Sequence, residues 1–518
     1  MELLIDFIIV AVYVLASIAA IHAVLHTRTA QGSIAWLVSL ITLPFLSLPL
    51  YLIFGPRKIQ GYIKARRAGD LEINHLARIL LERSNAFKST LKIHQESIKV
   101  TEDLAKLPFT HHNEVNLLID GPQSFNRFFE AIEAAEHYVL VQFYIVRDDA
   151  TGQKFKDALL KKVRQGVKVY LLYDSIGSYE LSSDYINALK LGGIEVHGFN
   201  DTSLRNNRYL INFRNHRKIL VVDGKTAFVG GLNIGNEYMG QDPKFTTWRD
   251  THAEFSGPCV QSVQMVFIED WYWVTQDLPQ LNWHPTAAEG IKRNPLRDDT
   301  LDNAQDDTSN HSLSSDSDNS LDSAAKSDNE RPSSVANKDV LVLATGPADT
   351  LESGTLFFLQ LVNSAKSRLW IATPYFVPDI QLISALQLAA LRGVDVRILL
   401  PKKSDNLLMH LTSYATMNET AKAGIKFYHY LPGFMHQKVL LIDKDITAIG
   451  TANFGNRSFR LNFELTMLIA GKNIAKDVET MLRSDFAQSK LLNAADYEVL
   501  PFLSKLLIQL ARLSSPVQ

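Results

Sequence analysis

Two stretches of the chain repeat one pattern of chemically capable residues: His216-Arg-Lys218-Ile-Leu-Val-Val-Asp223 and His436-Gln-Lys438-Val-Leu-Leu-Ile-Asp443. Each is followed by glycine and asparagine, as Gly230-Gly231-Leu-Asn233 and Gly450-Thr-Ala-Asn453, and the interval from histidine to asparagine is 17 residues in both. A lone His-x-Lys carries no information, because a hydrogen-bonded surface or core histidine is the commoner occupant of such a position. Paired elements at equal spacing make coincidence a remote explanation. On a strand, side chains alternate faces, so each His shares a side with its Lys while Arg217 or Gln437 points away. The apolar runs that follow read as strands buried on both faces.

Two such pairs face to face give two imidazoles and two ammonium groups, equipment for phosphoryl-group chemistry without a metal. Lys218 and Lys438 would neutralise the non-bridging oxygens, with Asn233 and Asn453 as further donors. One histidine attacks phosphorus while the other protonates the leaving alcohol and then deprotonates the acceptor, which implies a phosphohistidine. A nucleophilic histidine needs a carboxylate on its other ring nitrogen. Aligning Gly257 with Gly471 sets Asp250 opposite Glu464, each seven residues earlier, and nominates Asp250 to orient His216 and Glu464 to orient His436. Asp223 and Asp443 are candidates for direct chemistry, or for stabilising a turn or pairing with the lysines. No Cys cluster, His-Glu-x-x-His or dense carboxylate group suggests a metal, and no cofactor is expected.

These residues need rigid elements to carry them, and the chain repeats those as well. In the first half a helical stretch, Phe125 to Ala135, precedes a β-rich run from Tyr138 to Val146, a helix to Arg164 and the strand opened by Gly166. In the second, Leu356 to Ala365 precedes Leu369 to Val377, a helix to Arg392 and the strand opened by Gly393. Gly193-Ile-Glu-Val and Gly424-Ile-Lys-Phe follow in turn. The expected fold is α/β: two similar lobes, each a mixed sheet flanked by helices, around one shared active site. We place the lobes at 106–284 and 339–518, joined by an Asp/Ser/Asn-rich linker, 285–338, too poor in apolar residues to order itself.

At 518 residues and 46% hydrophobic the chain can fill more than one core. Its net charge of -2 supplies no global attraction for nucleic acid, and its single cysteine, Cys259, excludes an intrachain disulfide. Residues 1–56 read as a membrane anchor of two transmembrane helices, Leu3 to Leu25 and Ser33 to Phe54. Pro44 and Pro49 leave a kinked or re-entrant second segment open. A signal peptide would need a basic start and a small-residue cleavage site, which this segment lacks. Arg57, Lys58, Lys64, Arg66 and Arg67, in a connector spanning 57–105, outweigh Arg28 between the apolar runs and place the lobes on the cytoplasmic side. The stretch Leu500 to Leu513 has helical apolar spacing, suited to the core or to lipid.

The two motifs, with Ser458 five residues after Asn453, resemble the phospholipase D superfamily over about residues 110 to 490. Within it, Gly32-Ser-Ile-Ala-Trp-Leu, Pro49-Leu-Tyr-Leu-Ile-Phe-Gly, Asn236-Glu-Tyr and Trp248-Arg-Asp-Thr look like bacterial cardiolipin synthases. That resemblance implies the bacterial inner membrane, phosphatidylglycerol as substrate, and transfer of its phosphatidyl group to a second phosphatidylglycerol. It also implies His216 as nucleophile and His436 as acid and base. In the first half Tyr238 stands where the second has Ser458. Tyr144, Tyr375 and Trp370 could line a lipid pocket or fill the core. The rivals are a hydrolytic phospholipase D, a nuclease and an inactive scaffold. The anchor and the lack of a basic, aromatic-studded domain oppose the nuclease, and the two intact His/Lys pairs oppose the scaffold.

Overall fold

The computed structural model describes residues 2–27, 29–55, 71–91, 95–199, 212–245, 247–288, 337–492 and 500–513. The basic cluster after the apolar segments and nearly all of the acidic linker lie outside them.

The repeat read from the sequence is a repeat in space. From its outer edge inward, the first lobe orders its strands Glu195–Phe199, Lys168–Asp174, Tyr138–Phe143, Ile219–Val222, Thr226–Gly230, Thr251–Ser256 and Thr110–Ile119. The second begins with Ser489–Leu491 and then runs Lys426–Tyr430, Asp395–Pro401, Arg368–Ala372, Val439–Ile442, Ile446–Gly450, Asn462–Ala470 and Lys338–Thr345. Thr110–Ile119 and Lys338–Thr345 pair antiparallel and fuse both halves into one sheet. Helix crossovers make Tyr138–Phe143, Lys168–Asp174 and Glu195–Phe199 parallel, whereas the hairpins beside them are antiparallel. The sheet is mixed, as expected.

Matching signals start and stop the matching helices. Asp149 and Asp379 cap Ala150–Arg164 and Ile380–Leu391 by accepting from Gly152 N and Leu382 N. Gly166 and Gly393, at φ +91° and +89°, turn the chain out of them in a conformation that a side chain disfavours. The two strands after the His-x-Lys motifs are buried on both faces. Ile219 and Val221 join a core shared by both lobes with Val439 and Leu441. Leu220 and Val222 face the first lobe's own core, and Leu440 and Ile442 the second's. Each such side chain contributes about 1.5–3 kcal/mol by leaving water.

The anchor departs from the expected pair of spans. Glu2–His26 is one apolar helix of 25 residues. The second segment breaks at Leu43, before Pro44, into Ala30–Thr42 and Pro44–Phe54, of 13 and 11 residues. Proline has no N–H to continue the first of these, and at 1.5 Å per residue neither piece alone crosses about 30 Å. Ala16, Ala19, Ala20 and Ala23 are buried beside Leu40, Leu48 and Tyr51, while Leu3, Phe7 and Ile21 stay 87%, 71% and 63% exposed. Small residues between the helices and large apolar ones outside suit a lipid surround. Asn212 Nδ2 donates to Ile53 O at 3.3 Å, tying the anchor to the first lobe.

The C-terminal stretch forms a helix that packs on the second lobe. Helix Phe502–Arg512 packs Ile508 and Ala511 inward, where Ala511 O accepts from Thr412 Oγ1 at 3.1 Å, and leaves Phe502, Leu503 and Leu510 exposed.

Candidate active site

The histidines reach one cavity because each lobe hands its motif to the other. Arg214–Asn215 pairs in parallel with Asn462–Phe463 of the second lobe, and Phe434–Met435 with Trp248–Arg249 of the first. His216 N–H donates to Phe463 O at 2.9 Å and His436 N–H to Arg249 O at 2.7 Å. Both triplets sit just ahead of their strands rather than within them. The alternation still holds. Arg217 turns away to Asp270 at 2.7 Å and Gln437 to Asp485 at 2.7 Å, on the buried helices Cys259–Thr275 and Lys472–Ala487. His216 and His436 face a cavity of about 890 Å³, together with Asn233, Asn453, Ser458 and Tyr238.

The orienting carboxylates are the two nominated, but their assignment is crossed. Glu464 Oε2 lies 3.0 Å from His216 Nδ1, and Asp250 Oδ2 lies 2.8 Å from His436 Nδ1. Pairing within lobes, Asp250 to His216 and Glu464 to His436, is therefore corrected. The exchanged strand pairs bring each histidine to the carboxylate strand of the opposite lobe. Glu464 also accepts from Thr451 Oγ1 at 2.5 Å and Asn462 Nδ2 at 3.1 Å, and Asp250 from Thr251 N at 2.8 Å. With Nδ1–H facing a carboxylate, each ring keeps its Nε2 lone pair for the substrate.

Burial, with the nearby lysine charges, holds His216 at about 4 and His436 well below the usual range, so both rings rest neutral. Lys218 and Lys438 lie beneath them, each Nζ donating to the carbonyl of its own motif histidine at 2.6 Å. Burial lowers Lys218 to about 7 and Lys438 to about 8, against the pull of Glu464 and Asp250. An anion arriving between them restores their charge.

Asn233 donates to Tyr238 Oη at 2.9 Å, and in the second lobe Ser458 Oγ accepts from Asn453 N at 3.1 Å. Asn453 Oδ1 is buried with no hydrogen bond among the described residues. Tyr238 and Ser458 both line the cavity five residues after their asparagines, one bonded to the Asn233 side chain and the other to the Asn453 backbone. Tyr144 and Tyr375 line the cavity, whereas Trp370 is core, donating to Asp395 at 3.1 Å.

Asp223 and Asp443 do not join this group, which corrects their candidacy for chemistry. At φ +52° and +50° they end their strands facing away from the cavity. Asp223 accepts from Glu136, His137 and Tyr138 N–H groups, each at 2.8 Å, and Asp443 from those of Lys366, Ser367 and Arg368. Both clamp the start of the neighbouring antiparallel strand, which is the turn-stabilising alternative. The sequence reading passed over Trp248, whose ring centroid is 5.2 Å from that of His436, and Arg214, Arg457, Thr451 and Asn462. Arg214 was findable by alternation, since residues 214, 216 and 218 share a face.

A family model described as "Cardiolipin synthase, PLD-like domain" matches residues 128–270 and 358–486, one match per lobe. A second, "Phospholipase_D-nuclease N-terminal", matches 14–56. The chain is 42% identical over 514 residues to Cardiolipin synthase A of Pseudomonas aeruginosa, covering 98% of this chain and 95% of that protein. To Cardiolipin synthase A of Pseudomonas putida it is 40% identical over 512 residues, covering 98% and 96%. Phosphatidylserine synthase of Haemophilus influenzae shares the fold, with a TM-score of 0.57 at 17% identity over 82% of this chain and 100% of that one. The matched halves fall on the two lobes that build the cavity, and the chain belongs to the cardiolipin synthase family of phospholipase D-like enzymes.

Proposed function

We propose that this enzyme transfers the phosphatidyl group of one phosphatidylglycerol to the primary hydroxyl of a second, releasing glycerol and forming cardiolipin. In the first step His216 Nε2 attacks phosphorus, the bond from phosphorus to the glycerol oxygen breaks, and His436, protonated as the anion enters, gives its proton to that oxygen. In the second, neutral His436 takes the acceptor's hydroxyl proton, the new oxygen attacks phosphorus, and the phosphorus–nitrogen bond breaks. His216 returns neutral, and the proton balance closes. Lys218 and Lys438 neutralise the non-bridging oxygens, with Asn233, Asn453 and Ser458 positioning them. Glu464 and Asp250 set the tautomers.

One observation carries the reading: two imidazoles, each anchored at Nδ1 by a buried carboxylate of the other lobe, face one cavity. The lipid substrate is supported by the relatives' names, by the apolar anchor tied to the cavity's surroundings through Asn212, and by Leu408, which lines the cavity from the helix on which the C-terminal helix packs. The same reading puts the enzyme in a bacterial inner membrane as a multi-pass protein, its lobes at 106–284 and 339–518 facing the cytoplasm. The connectors are 57–105 and 285–338. The test is a product assay on purified enzyme in mixed micelles with labelled phosphatidylglycerol. Cardiolipin with glycerol supports the proposal; phosphatidic acid alone makes the enzyme a hydrolase.

A further inference from the structure

Forming cardiolipin brings two phosphodiesters into one cavity, and the buried lysines serve only the one that reacts. Among the cavity's other cations, Arg147 is paired with Glu180 and Glu237. Of the acids on its wall, Asp149 caps a helix and Asp405 accepts from Tyr375 Oη at 2.7 and 2.6 Å. Arg214 and Arg457 line it too. They reach the cavity from opposite lobes, Arg214 two residues before His216 and Arg457 one before Ser458. Arg214 has no ion pair among the described residues, donates to Phe213 O at 3.3 Å and faces Tyr144 and the buried Asp174, and Arg457 Nη2 donates to Asn212 O at 3.0 Å. Burial and then the like charge of Arg214 hold Arg457 below its ordinary range, against Tyr144 and the buried Asp174, and its guanidinium sits on the carbonyl two residues before Arg214.

Beside Arg214 stands an orphaned acceptor. Asn462, the register partner of Arg214, is 4% exposed and lines the same cavity. Its Nδ2 donates to Glu464 Oε1 at 3.1 Å, and its Oδ1 has no hydrogen bond among the described residues. A buried acceptor beside two forked cations matches a phosphodiester that carries a free hydroxyl.

We propose that Arg214 and Arg457 form a second anion subsite, which holds the phosphodiester of the accepting phospholipid, with Asn462 Oδ1 accepting from the free hydroxyl of its glycerol. The subsite makes an anionic lipid a better acceptor than a neutral alcohol. It rests on the phosphatidyl-transfer reading above.

The test separates the acceptors while keeping the donor. Full-length enzyme in phosphatidylglycerol micelles containing labelled glycerol carries out two transfers: label exchange into phosphatidylglycerol, with a neutral acceptor, and cardiolipin formation, with an anionic one. The readout is the ratio of cardiolipin made to label exchanged. In Arg214→Gln and Arg457→Gln the ratio should fall on the order of 10- to 100-fold, the worth of a charge-assisted hydrogen bond. Arg214→Lys, which keeps the charge, should recover part of it. Parallel loss of both transfers, or an unchanged ratio, overturns the subsite. If Arg457→Gln does not fold, because Arg457 also holds Asn212, Arg214→Gln and Arg214→Lys decide. A wild type that exchanges glycerol but makes no cardiolipin refutes the parent reading instead.

Discussion

Replacing Glu464 by Gln should disable His216, although the two residues belong to different lobes. The carboxylate is fully buried and takes three donors: His216 Nδ1 at 3.0 Å, Thr451 Oγ1 at 2.5 Å and Asn462 Nδ2 at 3.1 Å. A glutamine offers one acceptor oxygen and one NH2. If the NH2 faces the imidazole, Nδ1–H meets a donor and keeps only the Thr451 carbonyl, 3.1 Å away, so the tautomer that frees Nε2 is weakened. If it faces Asn462, two donors are set against each other in a site closed to water, and the charge that stabilises the imidazolium is gone in either case. The loss of a charge-assisted bond is about 1.5–3 kcal/mol, and a wrong tautomer in an analogous triad costs about 10⁴-fold. We expect kcat to fall on the order of 10²- to 10⁴-fold with little change in melting temperature. The assay uses a phosphatidyl ester of p-nitrophenol, whose leaving group needs no acid, so a burst reports phosphohistidine formation alone. Glu464→Gln should behave as His216→Ala does, without a burst, and Asp250→Asn as His436→Ala does, with a burst and slow turnover. The reverse correspondence, Glu464→Gln matching His436→Ala, would refute the crossed pairing whichever histidine is the nucleophile.

Asp443→Ala removes an acceptor for three backbone N–H groups and leaves alanine at φ +50°; a loss of about 2–4 kcal/mol is expected by thermal denaturation, with kcat of the folded enzyme kept within about threefold. Asp270→Ala strands the Arg217 guanidinium, 1% exposed, and should cost about 3–5 kcal/mol, read as a drop in melting temperature. The pH profile of kcat/KM reports the free enzyme. His436 must be protonated to serve the leaving oxygen and the lysines charged to take the phosphate, so activity should fall as pH rises, with the lysine limb at about 7 to 8. Chelators should leave the rate unchanged, since the lysines and histidines supply the charge; loss on chelation and recovery on adding metal back would contradict this.

The chemistry was legible because it is periodic. Equal His–Asn spacing marked the two pockets, and the continuous apolar runs Ile219–Val222 and Val439–Ile442 marked strands with no solvent face. The lobes could be read from glycines 166 and 393, which end equivalent helices. The crossed carboxylates could not be read. Which lobe's acid reaches which histidine depends on two-residue strand pairs, Arg214–Asn215 on Asn462–Phe463 and Phe434–Met435 on Trp248–Arg249, and these leave no pattern along the chain. Asp223 and Asp443 share the motif yet serve the turn, because a strand of four residues carries them to its far end from His216 and His436. The anchor shows the converse: Pro44 announced a break that hydropathy alone smoothed over.

The central claim is a single covalent intermediate in one site shared by two lobes, and trapping tests it most directly. Enzyme mixed with labelled phosphatidylglycerol, quenched within a turnover and digested for mass spectrometry, should carry at most one phosphatidyl group per chain, on the peptide containing His216, and none in His216→Ala. Label on both histidines, or on neither while cardiolipin still forms, would contradict the account.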